Sequence, residues 1–340
     1  MRAFALRLAS MFIASGVALW ACTGDDAVLA PPGGTEPADG GVEASLADAK
    51  ADVVTVDAGV DAAPQCNPLS PFTDIAPLAG VNTPDGEDGA RMSPDELSLY
   101  FGRIGGGTKF DLFVATRPDR STAFGNVTPV AGANDPAADD NHPSFGGESL
   151  FFSSSRGDGG VERVWSSPRA TDGGFGLPAE LTTIGAPGSN ATFPFVLPNG
   201  LHLYYVTARP NDPGLAIWHA TRATPAVPFG NASNVAELNM ALGSPPYLDG
   251  YPAVTADDQT IYFTSYRPTA DAGSTGFNIF MAKRPDATSG FATSVEVTEL
   301  NTSAEEWPTW VSADGCRILF ISNRQGSMAS RDIWQAHRGM

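Results

Sequence analysis

The chain has 340 residues and a formal charge of −18, from 38 acids against 20 bases. That balance excludes a surface made for phosphate backbones, so no nucleic-acid partner is expected. With 37 Gly and 28 Pro, residues that long helices do not tolerate, a helical bundle is excluded and many short strands joined by turns are favoured. The N-terminus carries Arg2 and Arg7, an apolar run from Leu8 to Trp20, then small Ala21 before Cys22. The run is about a dozen residues where a membrane span needs roughly 20. A charged start, a short apolar stretch and a small terminal residue predict a secretory signal over residues 1–21.

Leu19-Trp20-Ala21-Cys22 resembles a bacterial lipobox, with Leu19, Ala21 and Cys22 at the matching positions. The resemblance implies lipidation of Cys22, membrane contact through that anchor alone, and residence in the periplasm or at the cell surface, anchored to the outer membrane. From Thr23 to Gln65 the chain holds nine acids, one base (Lys50) and no aromatic residue. Such a stretch cannot bury enough surface to offset its ordering entropy. Residues 22–66 are therefore expected to be a disordered acidic linker.

Residues 67–340 repeat. The pairs Leu99/Phe101, Leu150/Phe152, Leu203/Tyr205, Ile261/Phe263 and Ile318/Phe320 recur 51 to 58 residues apart, each in a short β-prone run. A second run follows each pair, with an aromatic at Phe113, Trp165, Trp218, Phe280 and Trp334 and a closing arginine at Arg117, Arg169, Arg222, Arg284 and Arg338. Outer strands are expected to open at Phe72, Phe124, Phe175, Phe229 and Phe291. Innermost strands are led by Pro143, Pro194, Pro252 and Pro308, with Ala90 in the first copy, and end in tight turns such as Asn199-Gly200 and Asp314-Gly315. Tyr100, Phe151, Tyr204, Tyr262 and Leu319 make the second strand apolar on both faces, so it must be covered on both faces. Five four-stranded antiparallel blades around an axis satisfy this. The expected fold is all-β, a five-bladed β-propeller.

The pattern P-x-x-S-x-D-G-x-x-L-x-F-x-S-x-R followed by D-I-W or N-I-F resembles the WD40-like PD40 repeat of TolB-type propellers. Its best copy runs from Pro308 to Asp314-Gly315, then Ile318 to Arg324 and Asp332-Ile333-Trp334. The first copy places Arg103 two positions early, and the third lacks the Asp before Gly200. The resemblance implies an envelope propeller. It does not imply the TolB role, because TolB's N-terminal α/β domain has no counterpart in the sequence.

The first outer strand, Phe72 to Leu78, precedes the first complete blade, and the chain ends after a third strand. Ring closure then requires that strand to complete the last blade. In an up-down blade this brings Cys66, just before the closing strand, beside Cys316 at the start of the last blade's second strand. A disulfide is permitted in an exported protein, and Cys66–Cys316 is the expected bridge.

Catalytic signatures are sparse: there is no G-x-S-x-G, H-E-x-x-H, C-x-x-C or phosphate-binding glycine loop. His142, His202, His219 and His337 are assigned to different blades as strand or rim residues, not ligands. No cofactor is expected. Arg156, Arg209, Arg267 and Arg324 end second strands and are read as ties within a blade, with Asp332 facing Arg324 across the hairpin. Acids recur where four of the five innermost strands begin: Asp85, Glu87 and Asp88; Asp135, Asp139 and Asp140; Asp249; Glu305 and Glu306; the third copy has only Ser189 and Asn190 there. They are compatible with solvated loops, with a binding rim, with a Ca²⁺ site at Asp139 and Asp140, or with catalytic carboxylates at Asp140, Asp249 and Glu306. The proposed binding face comprises Asp88, Asp139, Asp140, Asp249, Glu305, Glu306 and Trp307. The expected function is a monomeric protein-binding or scaffolding module for an envelope protein or peptide. The alternative is a carbohydrate-active, glycosidase-like enzyme acting on a glycan.

Overall fold

Strands and turns follow one another, with no α-helix among the described residues, in the computed structural model, which describes residues 66–105, 107–157, 160–171, 173–185, 189–208, 214–239, 248–269 and 276–339. The signal, Cys22, nearly all of the linker and Arg209 lie outside the described residues. The first blade is β2 (Glu87–Met92), β3 (Ser98–Ile104), β4 (Phe110–Thr116) and β5 (Gly125–Pro129). The second is β6 (Asp140–Gly146), β7 (Ser149–Ser154), β8 (Arg163–Pro168) and β9 (Ala179–Glu180). The third is β10 (Ala191–Val196), β11 (His202–Thr207), β12 (Ala216–Thr221) and β13 (Gly230–Asn234). The fourth is β14 (Asp249–Val254), β15 (Thr260–Ser265), β16 (Asn278–Lys283) and β17 (Val295–Glu296). The last joins β18 (Glu306–Val311), β19 (Arg317–Ser322) and β20 (Asp332–Arg338) to β1 (Phe72–Pro77), in the order β1-β20-β19-β18. This is the five-bladed propeller that the repeats demand.

The second strands are sandwiched between neighbouring blades. Their fifteen apolar residues, from Leu99–Phe101 through Ile318–Phe320, are at most 8% exposed. Burying each large side chain contributes roughly 1.5–3 kcal/mol, which makes this layer the principal source of cohesion. The S-x-D part of the repeat clamps the turn that leads into this strand. Ser93, Thr255 and Ser312 donate their hydroxyls to Asp95, Asp257 and Asp314 at 2.6, 2.6 and 2.5 Å. Each aspartate also accepts a backbone N–H two residues on, from Leu97, Gln259 and Cys316. These are Asx turns, and they account for the residue types at that spacing.

The recurrent Phe and closing Arg turn out to be partners. Arg117, Arg222, Arg284 and Arg338 lie 4.4, 4.3, 4.4 and 3.9 Å over Phe124, Phe229, Phe291 and Phe72. Their Nε groups donate to the turn carbonyls of Glu96, Gly200, Asp258 and Gly315. Phe72 lies within β1 as expected, but the other four phenylalanines precede their outer strands instead of opening them. They dock under the closing arginine of their blade, Phe175 more loosely, 5.7 Å from Arg169.

Closure follows the sequence reading. β1 pairs antiparallel with β20, matching Phe72 to Arg338 and Thr73 to His337. Cys66 and Cys316 form a disulfide with their Cα atoms 5.8 Å apart.

Candidate functional site

The innermost strands β2, β6, β10, β14 and β18 surround the axis, each with a register shift two or three residues after its start. At that bulge His142, Phe193 and Tyr251 have φ of 53°, 52° and 50°, and Gly89 has 61°. Left-handed backbone is costly for residues with a Cβ. Here the same bend aims three rings at the axis: His142 and Phe193 are 4.3 Å apart, Phe193 and Tyr251 4.0 Å, and His142 and Tyr251 5.4 Å. Gly89 must be glycine, because a Cβ there would stand 2.6 Å from the His142 Cα. The rings plug the channel, leaving a cavity of about 20 Å³ beside them, room for about one water.

One mouth lies above this plug, where the innermost strands begin. Asp88, 1% exposed, is ion-paired with Arg331, and Arg331 lies 4.9 Å over Trp307. Its Oδ1 accepts the Gly89 N–H at 2.8 Å, Tyr251 Oη donates to Oδ2 at 3.4 Å, and His142 Nε2 stands 3.7 Å away. Burial alone would raise the Asp88 carboxyl, but His142, Arg331 and the Gly89 N–H outweigh it and hold it at about 2. That is below the ordinary value of about 4, so the unfolded state takes up the proton first. The resulting stabilisation, about 2 kcal/mol, is complete above pH 4 and lost as pH falls through 2. Comparing the native protein with Asp88→Asn by urea unfolding should show that difference near pH 7 and roughly half of it at pH 3. A pH-independent difference would contradict the ion-pair account.

The acids that begin the strands serve the blades. Asp140, Asp249 and Glu306 are at most 2% exposed and pair with Arg156, Arg267 and Arg324 at 2.6, 2.7 and 3.0 Å. Each arginine also takes a Ser Oγ of its own strand (Ser154, Ser265 or Ser322) through Nε. The same guanidinium donates to a carbonyl of the incoming linker: Ala133, Leu238 or Leu300. In the first blade the early Arg103 reaches Glu87 at 2.9 Å and the Val81 carbonyl, so the displaced arginine makes the same tie. The arginines are therefore intrablade ties, but Arg324 bonds Glu306 and not Asp332. Asp332 accepts the backbone N–H groups of Met328 and Ala329.

The remaining candidates divide between surface and interior. Asp139 accepts the Phe110 N–H and lies 3.7 Å from Lys109, while Asp140 also accepts the Asp135 N–H at 2.6 Å. The pair considered for Ca²⁺ thus has its oxygens engaged with protein groups. Glu305 is half-buried at the rim and Asp85 is exposed there. Trp307, 4% exposed, packs with Tyr251 and Phe277, and exposed Tyr266 extends that aromatic row outward.

The opposite mouth, formed by the hairpin turns, is a funnel of about 270 Å³ lined by residues such as Phe145, Val196, Val254 and Trp310. Arg91 forms its floor, 8% exposed and 3.8 Å over Phe195. It donates weakly to the Pro143 and Pro194 carbonyls at 3.4 and 3.5 Å, and its Nη1 has no partner among the described residues. Burial pulls its pKa down to about 9. Sequence reading missed Arg91. Aligning the copies would have found it, since the sister positions hold Ser144, Phe195, Ala253 and Trp310.

The histidines also need correction: His202 and His219 are not in different blades but on neighbouring strands of the third, with Nδ1 and Nε2 3.1 Å apart.

No family model and no curated protein sequence matches the chain. Solved structures do. TolB from Acinetobacter baumannii is 16% identical over 75% of this chain and 55% of its own, with a TM-score of 0.45. The catalytic domain of a Coprinopsis cinerea GH62 α-L-arabinofuranosidase is 9% identical over 81% of this chain and 98% of its own, with a TM-score of 0.51. A thermostable family-43 glycoside hydrolase is 11% identical over 77% and 92%, also at 0.51. At these identities the likeness is one of fold, and the fold is the β-propeller.

Proposed function

We propose that this protein is a recognition module of the cell envelope, carried on lipidated Cys22 by its acidic linker and binding a basic protein or peptide at the acid-bearing mouth. The observation that carries the reading is the division among the acids there. Those that begin the strands are locked to arginines, while Asp85, Asp135, Asp139 and Glu305 remain at least partly exposed on loops that the locks hold in place. Complementary charge on a rigid rim steers encounter and sets specificity. The Cys66–Cys316 disulfide supports export, since such bonds persist in oxidising compartments.

The glycosidase-like alternative has weaker support. It needs two carboxylates roughly 5–10 Å apart that are free to exchange protons or attack. Asp140, Asp249 and Glu306 are each committed to a guanidinium. The test is in-cell crosslinking of the full chain followed by affinity purification, with a variant carrying Lys at positions 85, 135, 139 and 305. A partner recovered with the native chain, released by salt and absent with the variant, is the expected result. The same partners recovered with both would overturn the acidic-rim reading. No partner, together with hydrolysis of a wall polysaccharide by the purified protein, would replace it with the enzymatic one.

A further inference from the structure

The third blade carries a group that the propeller fold does not require. His202 begins β11, and His219 lies on β12 opposite Tyr204, so the two imidazoles are diagonal neighbours on one face. The corresponding pairs in the other blades are Ser98/Val114, Ser149/Ser166, Thr260/Met281 and Arg317/Gln335. Four blades thus form the same hairpin with no histidine there. The hairpin itself therefore does not need histidine at either position, although here the two rings are within hydrogen-bond distance and His219 stacks on Tyr204.

The next blade supplies a third donor. Asp258 sits in the turn between β14 and β15 with φ of 60°, and its Oδ2 is 3.5 Å from His202 Nδ1. His202 Nδ1 and His219 Nε2 are 3.1 Å apart, and the three donor atoms all lie within 4.8 Å of one another. Donors bound tetrahedrally at about 2.0–2.1 Å are separated by about 3.3–3.4 Å, a value these spacings bracket. The carboxylate is also held from behind. Tyr204 Oη donates to Oδ1 at 2.8 Å, and Arg284 stands 2.5 Å from Oδ2, which accepts no hydrogen bond from the described residues. Arg284 is itself fixed by its bond to the Asp258 carbonyl and by the Phe291 ring. Outer contacts of this kind orient metal-binding carboxylates.

We propose that His202, His219 and Asp258 form a Zn²⁺ site that bridges the third and fourth blades. Two imidazole nitrogens and one carboxylate oxygen suit a borderline transition ion, whereas Ca²⁺ and Mg²⁺ prefer oxygen alone. The Arg284 charge balances Asp258 and makes the donor set neutral overall, which lowers affinity relative to a site with an unpaired carboxylate. The His202 side chain is 29% exposed, so the fourth coordination position opens to solvent, where water completes the tetrahedron.

The test uses the untagged mature protein stripped with chelator, then titrated with Zn²⁺ by calorimetry and with Co²⁺ by visible absorption. One equivalent of Zn²⁺ should bind, Co²⁺ should give the intense bands of a tetrahedral site, and the thermal midpoint should rise with Zn²⁺ and not with Ca²⁺. The double variant His202→Ser, His219→Val installs residues that sister blades already carry, so it should fold. It should lose the equivalent and both signals, and Asp258→Asn should weaken binding at least tenfold. Zn²⁺ binding of the same stoichiometry and affinity in the double variant would overturn the proposal. So would a native protein that takes up no Zn²⁺ while retaining its propeller fold.

Discussion

Replacing Arg324 with alanine is expected to destabilise the propeller by about 3–5 kcal/mol, measured as the urea unfolding free energy. Glu306 is 0% exposed and would lose its counter-ion, keeping Thr302 and Ser322 as donors at 2.6 and 3.3 Å. The Leu300 carbonyl would lose its donor in the same step. The rings of Phe320 and Trp334, 4.8 and 5.2 Å from the guanidinium, would border a hole. Arg324→Lys should fail nearly as badly, because a point charge cannot reach a serine, a carboxylate and a carbonyl together. Glu306→Gln should cost less, since the arginine keeps its other partners. An apolar pair, Arg324→Met with Glu306→Leu, should regain much of the loss, as buried ion pairs replaced as a unit often do. A loss below 1 kcal/mol for Arg324→Ala would show that the pair is not a tie. Equal losses for Arg267→Ala would show that the tie is a property of the repeat.

Reducing Cys66–Cys316 should have an effect of similar size, about 5 kcal/mol on the chain-entropy argument, because the bridge closes a loop spanning 250 residues. The bridge also secures the one blade whose strands come from both ends of the chain. Without it, β1 is held to β20 by the pairing around Phe72 and by the Arg338 contacts to Phe72 and the Ser70 carbonyl. Cys66→Ser and Cys316→Ser should therefore lower the urea midpoint alike, and the double variant should fall no further than either single variant. Hydrogen exchange in the reduced protein should quicken first in β1 and β20, where the ring is zipped. Uniform quickening in all five blades would mean that the ring opens only by complete unfolding.

The architecture was legible in the sequence because its signals are local or periodic. Apolar pairs recurring at a fixed interval, Asx-turn residues two apart and a strand apolar on both faces each constrain nearby backbone. Five copies repeat the same constraint. Even the closure could be read, since a repeat broken across both ends of the chain has only one partner available. What remained illegible were choices between neighbours. Ser322 stands opposite both Glu306 and Asp332 in the last blade, so sheet pairing alone gives Arg324 two carboxylates. The Leu300 carbonyl and the two flanking rings decide for Glu306, and none of these is adjacent in sequence. The acids that looked like a binding or catalytic set are divided in the same way: charge and spacing are visible in the sequence, but burial is not. Arg91 stands out when the copies are aligned, but its burial at the floor of the funnel follows only when five innermost strands converge on one axis. His202 and His219 can be paired by following a single hairpin, yet Asp258 reaches them only because the next blade packs alongside. Local chemistry dictated the strands and their number. Tertiary packing, within blades as at Arg324–Glu306 and between them as at Asp258 and His202, decided which polar groups meet, because burial and the choice among nearby partners are set only when the sheets pack.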